Sequence, residues 1–354
     1  MSTRPIRVAL DAMGGDHGLA ETAAGAAQLS REDAPIHIIL VGDEPQITAA
    51  LAGHRYDPGR VEVVHAPGAP IAMAEDARAA LEARPDCSIA VAARLVAAGE
   101  AEAVVSAGHT GATILSAART FQRLPGVRRC ALAAVHPTEQ KHGPKGDPFA
   151  LMLDVGATIG ASAEDLLSFA VMGSAYAQII SDNERPSLAL LSNGVEPNKG
   201  TPEIREAHRL LSAAPGLRFH GNVEGLDIPR GTVDIIVCDG FLGNVVLKML
   251  EGVTEVVSDI AKDAYARRFL WKLGLTMVSR DLQQLRQMTD WKQYGGAPVL
   301  GFDQVVIKAH GRSNARAIRN AVKVAAKAVD RGLVRRTAEG IAAVMATSDP
   351  RSAG

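Results

Sequence analysis

Arg7-Val8-Ala9-Leu10-Asp11-Ala12-Met13-Gly14-Gly15-Asp16-His17-Gly18 is an apolar run that stops abruptly in an acidic, glycine-rich turn. Val, Ala and Leu without polar interruption read as a strand buried on both faces. Gly14 and Gly15 permit positive φ, or an approach to a ligand that a Cβ would block. Asp11, Asp16 and His17 cluster beside them. An open α/β sheet places its ligands there, outside the carboxyl end of a strand.

The same pattern recurs along the chain. Strand-like runs fall at Val8–Leu10, His37–Val41, Val61–His65, Ala103–Ser106, Ala131–Val135, Leu151–Asp154, Ser187–Leu191, Leu217–His220, Ile235–Cys238 and Val305–Lys308. Ala-rich helical stretches separate many of them, including Ser88–Ala98, Ala163–Ser181 and Pro202–Ser212. This alternation predicts a mostly parallel sheet covered by helices on both faces. No repeat or composition break divides the chain, so residues 1–349 read as one α/β catalytic domain. The segment His136–Phe149 holds Pro137, Pro144 and Pro148 and reads as a mobile loop.

The chain has 354 residues, of which 47% are hydrophobic and 22% charged, so a sizeable core is expected and disorder is not. Aromatics make up only 4%, which leaves the core to Ala, Val, Leu and Ile. The formal net charge of −1 argues against general nucleic-acid binding. Cys87, Cys130 and Cys238 show no metal-ligand spacing and suit a reducing cytoplasm, with Cys238 a core thiol. The chain begins almost directly with a strand, leaving no room for a signal peptide, and no window is apolar enough to span a membrane.

Residues 252–294 break the alternation and read as a protruding helical hairpin. Phe269, Leu270, Trp271, Leu273, Leu275, Met277 and Val278 crowd together there, flanked by Arg267, Arg268, Lys272 and Arg280. Two readings fit: a pair of helices buried between two copies of the chain, and a tip at Phe269, Trp271 and Leu275 that touches an anionic membrane surface. They are compatible if the hairpin dimerises along its length and exposes its end.

Several strand-to-helix turns carry candidate chemistry. Ser106-Ala107-Gly108-His109-Thr110-Gly111 puts backbone N–H groups and hydroxyls at a helix start, an arrangement suited to anions. It lacks the lysine of a Walker loop and the spacing of a dinucleotide fingerprint. Asp154-Val155-Gly156-Ala157-Thr158 repeats the theme, and Asn193 to Pro202 adds Lys199 just ahead of a helix. Asp239-Gly240-Phe241-Leu242-Gly243-Asn244 is another such turn, where Asn244 fits either a helix cap or an amide aimed at a substrate oxygen. His310-Gly311-Arg312-Ser313-Asn314 opens the last long helix. Donors outnumber nucleophiles, which suits a phosphate held near a polarised carbonyl. Asp11, Gly14, Gly15, Ser106, Gly108, His109, Thr110, Gly111, Asp154 and Asp239 are therefore the expected phosphate and substrate contacts, and their turns are expected to point the same way.

These strings, in order from residue 7 to beyond residue 320, resemble the bacterial phosphate acyltransferase (PlsX) family. The resemblance implies a three-layer αβα sandwich related to isopropylmalate dehydrogenase and phosphotransacetylase, assembled as a homodimer. It implies transfer of a long fatty acyl group from acyl carrier protein to orthophosphate. The acyl phosphate then serves a downstream glycerol-3-phosphate acyltransferase in phosphatidic acid synthesis. No cofactor and no metal is implied. Three features depart from the family pattern: His109 replaces a common Asn, Arg84-Pro85-Asp86-Cys87-Ser88 replaces Lys-x-x-Ser-Ser, and the His136–Phe149 segment is longer.

Phosphate is already a nucleophile and a thioester an activated donor, so no covalent enzyme intermediate is required. Orientation and oxyanion donors are the expected large terms. Lys199 is expected to bind phosphate or developing negative charge, Asn244 to position phosphate or the thioester carbonyl, and His310 to pass a proton to the leaving thiolate. The rivals are a metal- and NAD-dependent hydroxy-acid dehydrogenase on the same fold, and a non-catalytic membrane scaffold.

Overall fold

The computed structural model describes residues 4–143, 146–267 and 295–348. The elements run β1 (Ile6–Asp11), α1 (Gly18–Ser30), β2 (Ile36–Gly42), α2 (Glu44–Ala52), β3 (Val61–His65), α3 (Ala77–Ala83), α4 (Ser88–Ala97), β4 (Ala103–Ser106), α5 (Thr110–Thr120), β5 (Ala131–His142) and β6 (Asp147–Leu153). They continue with α6 (Ala163–Ile180), β7 (Ser187–Leu191), α7 (Pro202–Ala213), β8 (Arg218–Val223), α8 (Asp227–Arg230), β9 (Ile235–Val237), α9 (Gly240–Arg267), β10 (Ala297–Leu300), β11 (Val305–Lys308), α10 (Ala315–Asp330) and α11 (Leu333–Ser348).

One sheet in the order β3-β2-β1-β4-β11-β10-β5-β6-β9-β7-β8 runs through the described residues, with helices on both faces. Coverage on both faces explains why β1 is apolar without alternation: Val8, Ala9 and Leu10 are all fully buried. The helices begin at polar caps. Asp43, Asp76, Thr201 and Asn314 each accept an N–H of the following turn, and Ser162 forms a capping box with Asp165. In α10 the period of 3.6 buries Ala317, Ile318, Ala321, Val322, Ala325 and Ala328 and leaves Arg319, Lys323 and Lys327 between them half-buried.

The expectation that all the functional turns leave the sheet in one direction is corrected here. The steps β11–β10, β10–β5 and β5–β6 are antiparallel, and the others are parallel. Three reversals make the block β6-β9-β7-β8 run opposite to β3-β2-β1-β4-β11. The carboxyl ends of the two blocks therefore lie at opposite edges. The central strands β4, β10 and β11 have four residues each, so those edges are only about 13 Å apart there.

Two local expectations also change. The segment His136–Phe149 is mostly paired: β5 extends to His142 and β6 begins at Asp147, with Ala133 opposite Leu153 and His142 opposite Asp147. Pro137 sits where the register shifts, a position that tolerates a missing N–H. The His142 ring lies 3.1 Å from Asp234 and holds the end of β5 against the sheet. Strand β10 was not expected. It is four residues long, contains Pro298, and follows two positive-φ glycines, Gly295 and Gly296. Cys238 is a buried core thiol that donates to the Asp154 carbonyl. The hairpin reading rests on residues 252–294, of which 268–294, including Phe269, Trp271 and Leu275, lie outside the described residues.

Candidate active site

Asp11, Ser106 and Lys308 end three adjacent parallel strands and are register partners, Asp11 opposite Ser106 and Ser106 opposite Lys308. Ser106 Oγ donates to Asp11 Oδ2 at 2.6 Å, and Ser88 Oγ donates to Asp11 Oδ1 at 2.6 Å. Asp11 is 2% exposed. Burial pushes its carboxyl up, and the two hydroxyls and the Lys308 charge pull it back. Asp11 thus anchors the turns from beneath, where a direct substrate contact was expected. Ser88 is the residue that the Arg84–Ser88 motif contributes to this floor.

Above this floor the β1–α1 and β4–α5 turns press together. A methyl group on Gly14 would fall 2.6 Å from Gly108 N, and one on Gly15 would fall 3.1 Å from the Gly311 carbonyl. This approach is what the glycines permit. Among the described residues the N–H groups of Gly14, Gly15, His109, Thr110 and Gly111 have no acceptor, while Gly108 N–H goes to Ser106 Oγ. Five free donors at two adjoining turns, beside the start of α5, are an arrangement suited to an anion. His109 is the cap of α5: its Nδ1 accepts from Ala112 N–H at 3.2 Å. An imidazole acceptor here caps the helix as an asparagine oxygen would.

At the other edge, Asp154 is fully buried. Its Oδ1 accepts from the N–H groups of Leu132 (2.9 Å), Gly156 (3.1 Å) and Ala157 (2.9 Å), and its Oδ2 from Thr158 (2.7 Å). It organises its own loop and offers no surface to substrate, a correction to its expected role. Asp239 Oδ1 accepts from Leu242 N–H, so Asp239 does the capping considered for Asn244. Asn244 lies in the second turn of α9, exposed, against Gly156. Close packing of α9 on this loop needs Gly243, where a Cβ would meet the Asp154 carbonyl at 1.9 Å. Lys199 follows β7, which pairs with β9, and so shares this edge. It is exposed and forms no hydrogen bond or ion pair through its side chain with any described residue.

Helix α9 joins the two edges. Asn244 and Lys248 are one turn apart, about 6 Å along the axis. The charge of Lys248 is felt by both Lys308 and His310. Two turns further, Glu255 pairs with Arg312 at 2.7 Å. The structure thus brings Asn244 and the turn that carries His310 and Arg312 to one helix, while Lys199 lies at the Asn244 edge. Burial and the neighbouring Lys248, Lys308 and Arg312 push the His310 imidazolium down, with Glu251 opposing. Its Nδ1 accepts from Arg312 N–H at 3.1 Å, which leaves the proton on Nε2. The Nε2–H of His310 can donate to an oxygen that carries developing negative charge.

Lys308 was missed. It is 6% exposed, and burial pushes its ammonium down to about 8 against the pull of Asp11 and Asp16. The available signal was an ammonium closing the apolar strand Val305-Val306-Ile307, at the position where neighbouring strands carry Asp11 and Ser106.

A family model described as "Fatty acid synthesis protein" matches residues 6–336. A phosphate acyltransferase of Nitratidesulfovibrio vulgaris (strain DP4) is 40% identical over 336 residues, 95% of each chain. One of Bordetella parapertussis is 39% identical over 340 residues, 96% of this chain and 94% of its own. Among solved structures, a phosphotransacetylase from Streptococcus pyogenes superposes with a TM-score of 0.61 at 17% identity, covering 92% of this chain and 94% of that one. EutD phosphotransacetylase from Staphylococcus aureus gives 0.58 at 15% identity with the same coverage. These last two bear on the fold. The sequence relatives bear on the chemistry and do not favour the dehydrogenase or scaffold readings. Over nearly its whole length the chain belongs to the phosphate acyltransferase family, and it is an acyltransferase.

Proposed function

We propose that the enzyme transfers a long fatty acyl group from the thioester of acyl carrier protein to orthophosphate, yielding acyl phosphate for phosphatidic acid synthesis in the cytoplasm. The supporting observation is the cradle of unpaired N–H groups on Gly14, Gly15, His109, Thr110 and Gly111. A phosphate oxygen held there attacks the thioester carbonyl and forms the C–O bond. The tetrahedral oxyanion collapses, the C–S bond breaks, and the thiolate leaves with the electron pair. Asn244 and the Nε2–H of His310 donate to the oxyanion, and Lys199 supplies charge at the approach. Acyl phosphate is then delivered to a glycerol-3-phosphate acyltransferase.

Mixing the enzyme with acyl carrier protein thioester is expected to release free thiol only when phosphate is present, with acyl phosphate trapped as its hydroxamate. Equal thiol release without phosphate would make the protein a thioesterase. Equal rates with a coenzyme A thioester would remove the preference for the carrier protein.

The enzyme acts as a homodimer joined along α9 and docked on anionic membrane through the 269–275 tip. Val245, Met249, Val253, Val256 and Ile260 are exposed at steps of three and four, a stripe on one face of α9. Among the described residues no helix is long and apolar enough to cross a membrane. Met249→Glu with Val256→Glu is expected to give monomers in light scattering. Trp271→Glu with Leu275→Glu is expected to abolish sedimentation with anionic vesicles and keep soluble acyl transfer. If the second pair also yields inactive monomers, the tip is interface and the membrane role is dropped.

A further inference from the structure

We propose that Lys308 is the positioning residue of the phosphate cradle, a buried cation that holds the two central turns so that their free N–H groups face the anion. The inference rests on the acyl-transfer reading above.

The geometry is a closed circuit beneath the cradle. Lys308 Nζ donates to the carbonyl of Ala107, at 3.4 Å, and to that of Ala309. In a trans peptide the C=O and the N–H point in opposite directions. Holding the Ala107 carbonyl therefore directs Gly108 N–H the other way, and it meets Ser106 Oγ at 3.0 Å. Ser106 in turn donates to Asp11, whose negative charge faces Lys308. The circuit fixes residues 106–108, and these set where His109, Thr110 and Gly111 begin α5. The second carbonyl does the same for the turn that carries His310. An apolar side chain at position 308 would leave the Ala107 carbonyl without this donor and the Asp11 carboxylate without its nearest buried counter-charge.

The groups facing the ammonium are Asp11 from β1, Asp16 from the β1–α1 turn, Lys248 from α9, and His310 two residues on. The aspartates favour the charged form; burial and Lys248 oppose it. The balance leaves Lys308 charged at neutral pH and uncharged above about 8. Loss of its proton removes one positive charge from the floor of an anion site. Phosphate use should therefore weaken on the alkaline side.

The test is steady-state acyl transfer from carrier-protein thioester with phosphate varied, between about pH 6.5 and 9.5. The wild type is expected to lose kcat/KM for phosphate above about pH 8. Lys308→Met is expected to raise KM for phosphate roughly 10–100-fold, more than it lowers kcat, and to lose the alkaline fall. Lys308→Arg, which stays charged, is expected to recover part of the affinity and also to lose the fall. Phosphate ionises identically in every assay, so comparison with wild type isolates position 308. A wild-type profile flat to about pH 9.5 overturns the proposal without any variant. So does a folded Lys308→Met enzyme with wild-type KM and an unchanged alkaline fall. A wild type with no phosphate-dependent thiol release overturns the acyl-transfer reading instead.

Discussion

Lys199→Ala is expected to slow phosphate-dependent acyl transfer by roughly 10²–10³-fold, as loss of a preorganised donor to developing charge does elsewhere. The loop that carries Lys199 is held by other groups. Gly200 N–H donates to Asn193 Oδ1 at 2.9 Å, Asn222 Nδ2 to the Glu196 carbonyl at 2.9 Å, and Arg205 to the Gly200 carbonyl at 3.1 Å. The lysine stem lies over Gly194, where a Cβ would meet Lys199 Cγ at 2.8 Å. Its ammonium has no described ion partner, so truncation frees no buried charge and the melting temperature should hold. It stands just ahead of α7, whose N-terminal dipole favours anions. Kinetics at varied phosphate with a melting curve check this, and Lys199→Arg should restore part of the rate. A wild-type kcat/KM in the alanine variant would place Lys199 outside the site.

Asp154→Ala should act on the fold. The substitution strips the acceptor from four backbone N–H groups, of which those of Leu132 and Thr158 are buried with it. Orphaned buried donors cost about 1–3 kcal/mol each, so the loss should total about 3–5 kcal/mol. For a chain of this length that lowers Tm by roughly 5 °C. Activity should fall through disorder of the 154–158 loop and of the start of α9 that packs on it. Asp154→Asn keeps Oδ1 for three of the donors and should lose less. Thermal denaturation separates the cases. An Asp154→Ala enzyme that melts like wild type yet transfers no acyl group would restore Asp154 to the chemistry.

The contrast between Asp11 and Lys308 shows what local sequence can carry. Asp11 was legible as a site residue because its signal is contiguous, the apolar strand before it and Gly14 and Gly15 after it, whereas its partners Ser88 and Ser106 come from distant segments. The same holds for Gly108, for the His109 cap, and for the parallel α/β class, since hydrophobic period, caps and glycine turns are short-range. Lys308 gave no comparable sign. It becomes a buried cation only because β11 is inserted between β4 and β10, some two hundred residues away in sequence from Ser106.

Strand direction was equally out of reach. A four-residue strand with a proline, β10, shows little local signal, yet it supplies two of the three antiparallel steps that turn the second block around. The sequence alone determined the family, the alternating elements and the glycine turns with their donors. Only the tertiary structure decided which of those turns share a cradle, that Asp11 and Asp154 hold loops rather than substrate, and that α9 bridges two opposed edges. Each of these depends on pairings between distant segments, which local propensity does not encode.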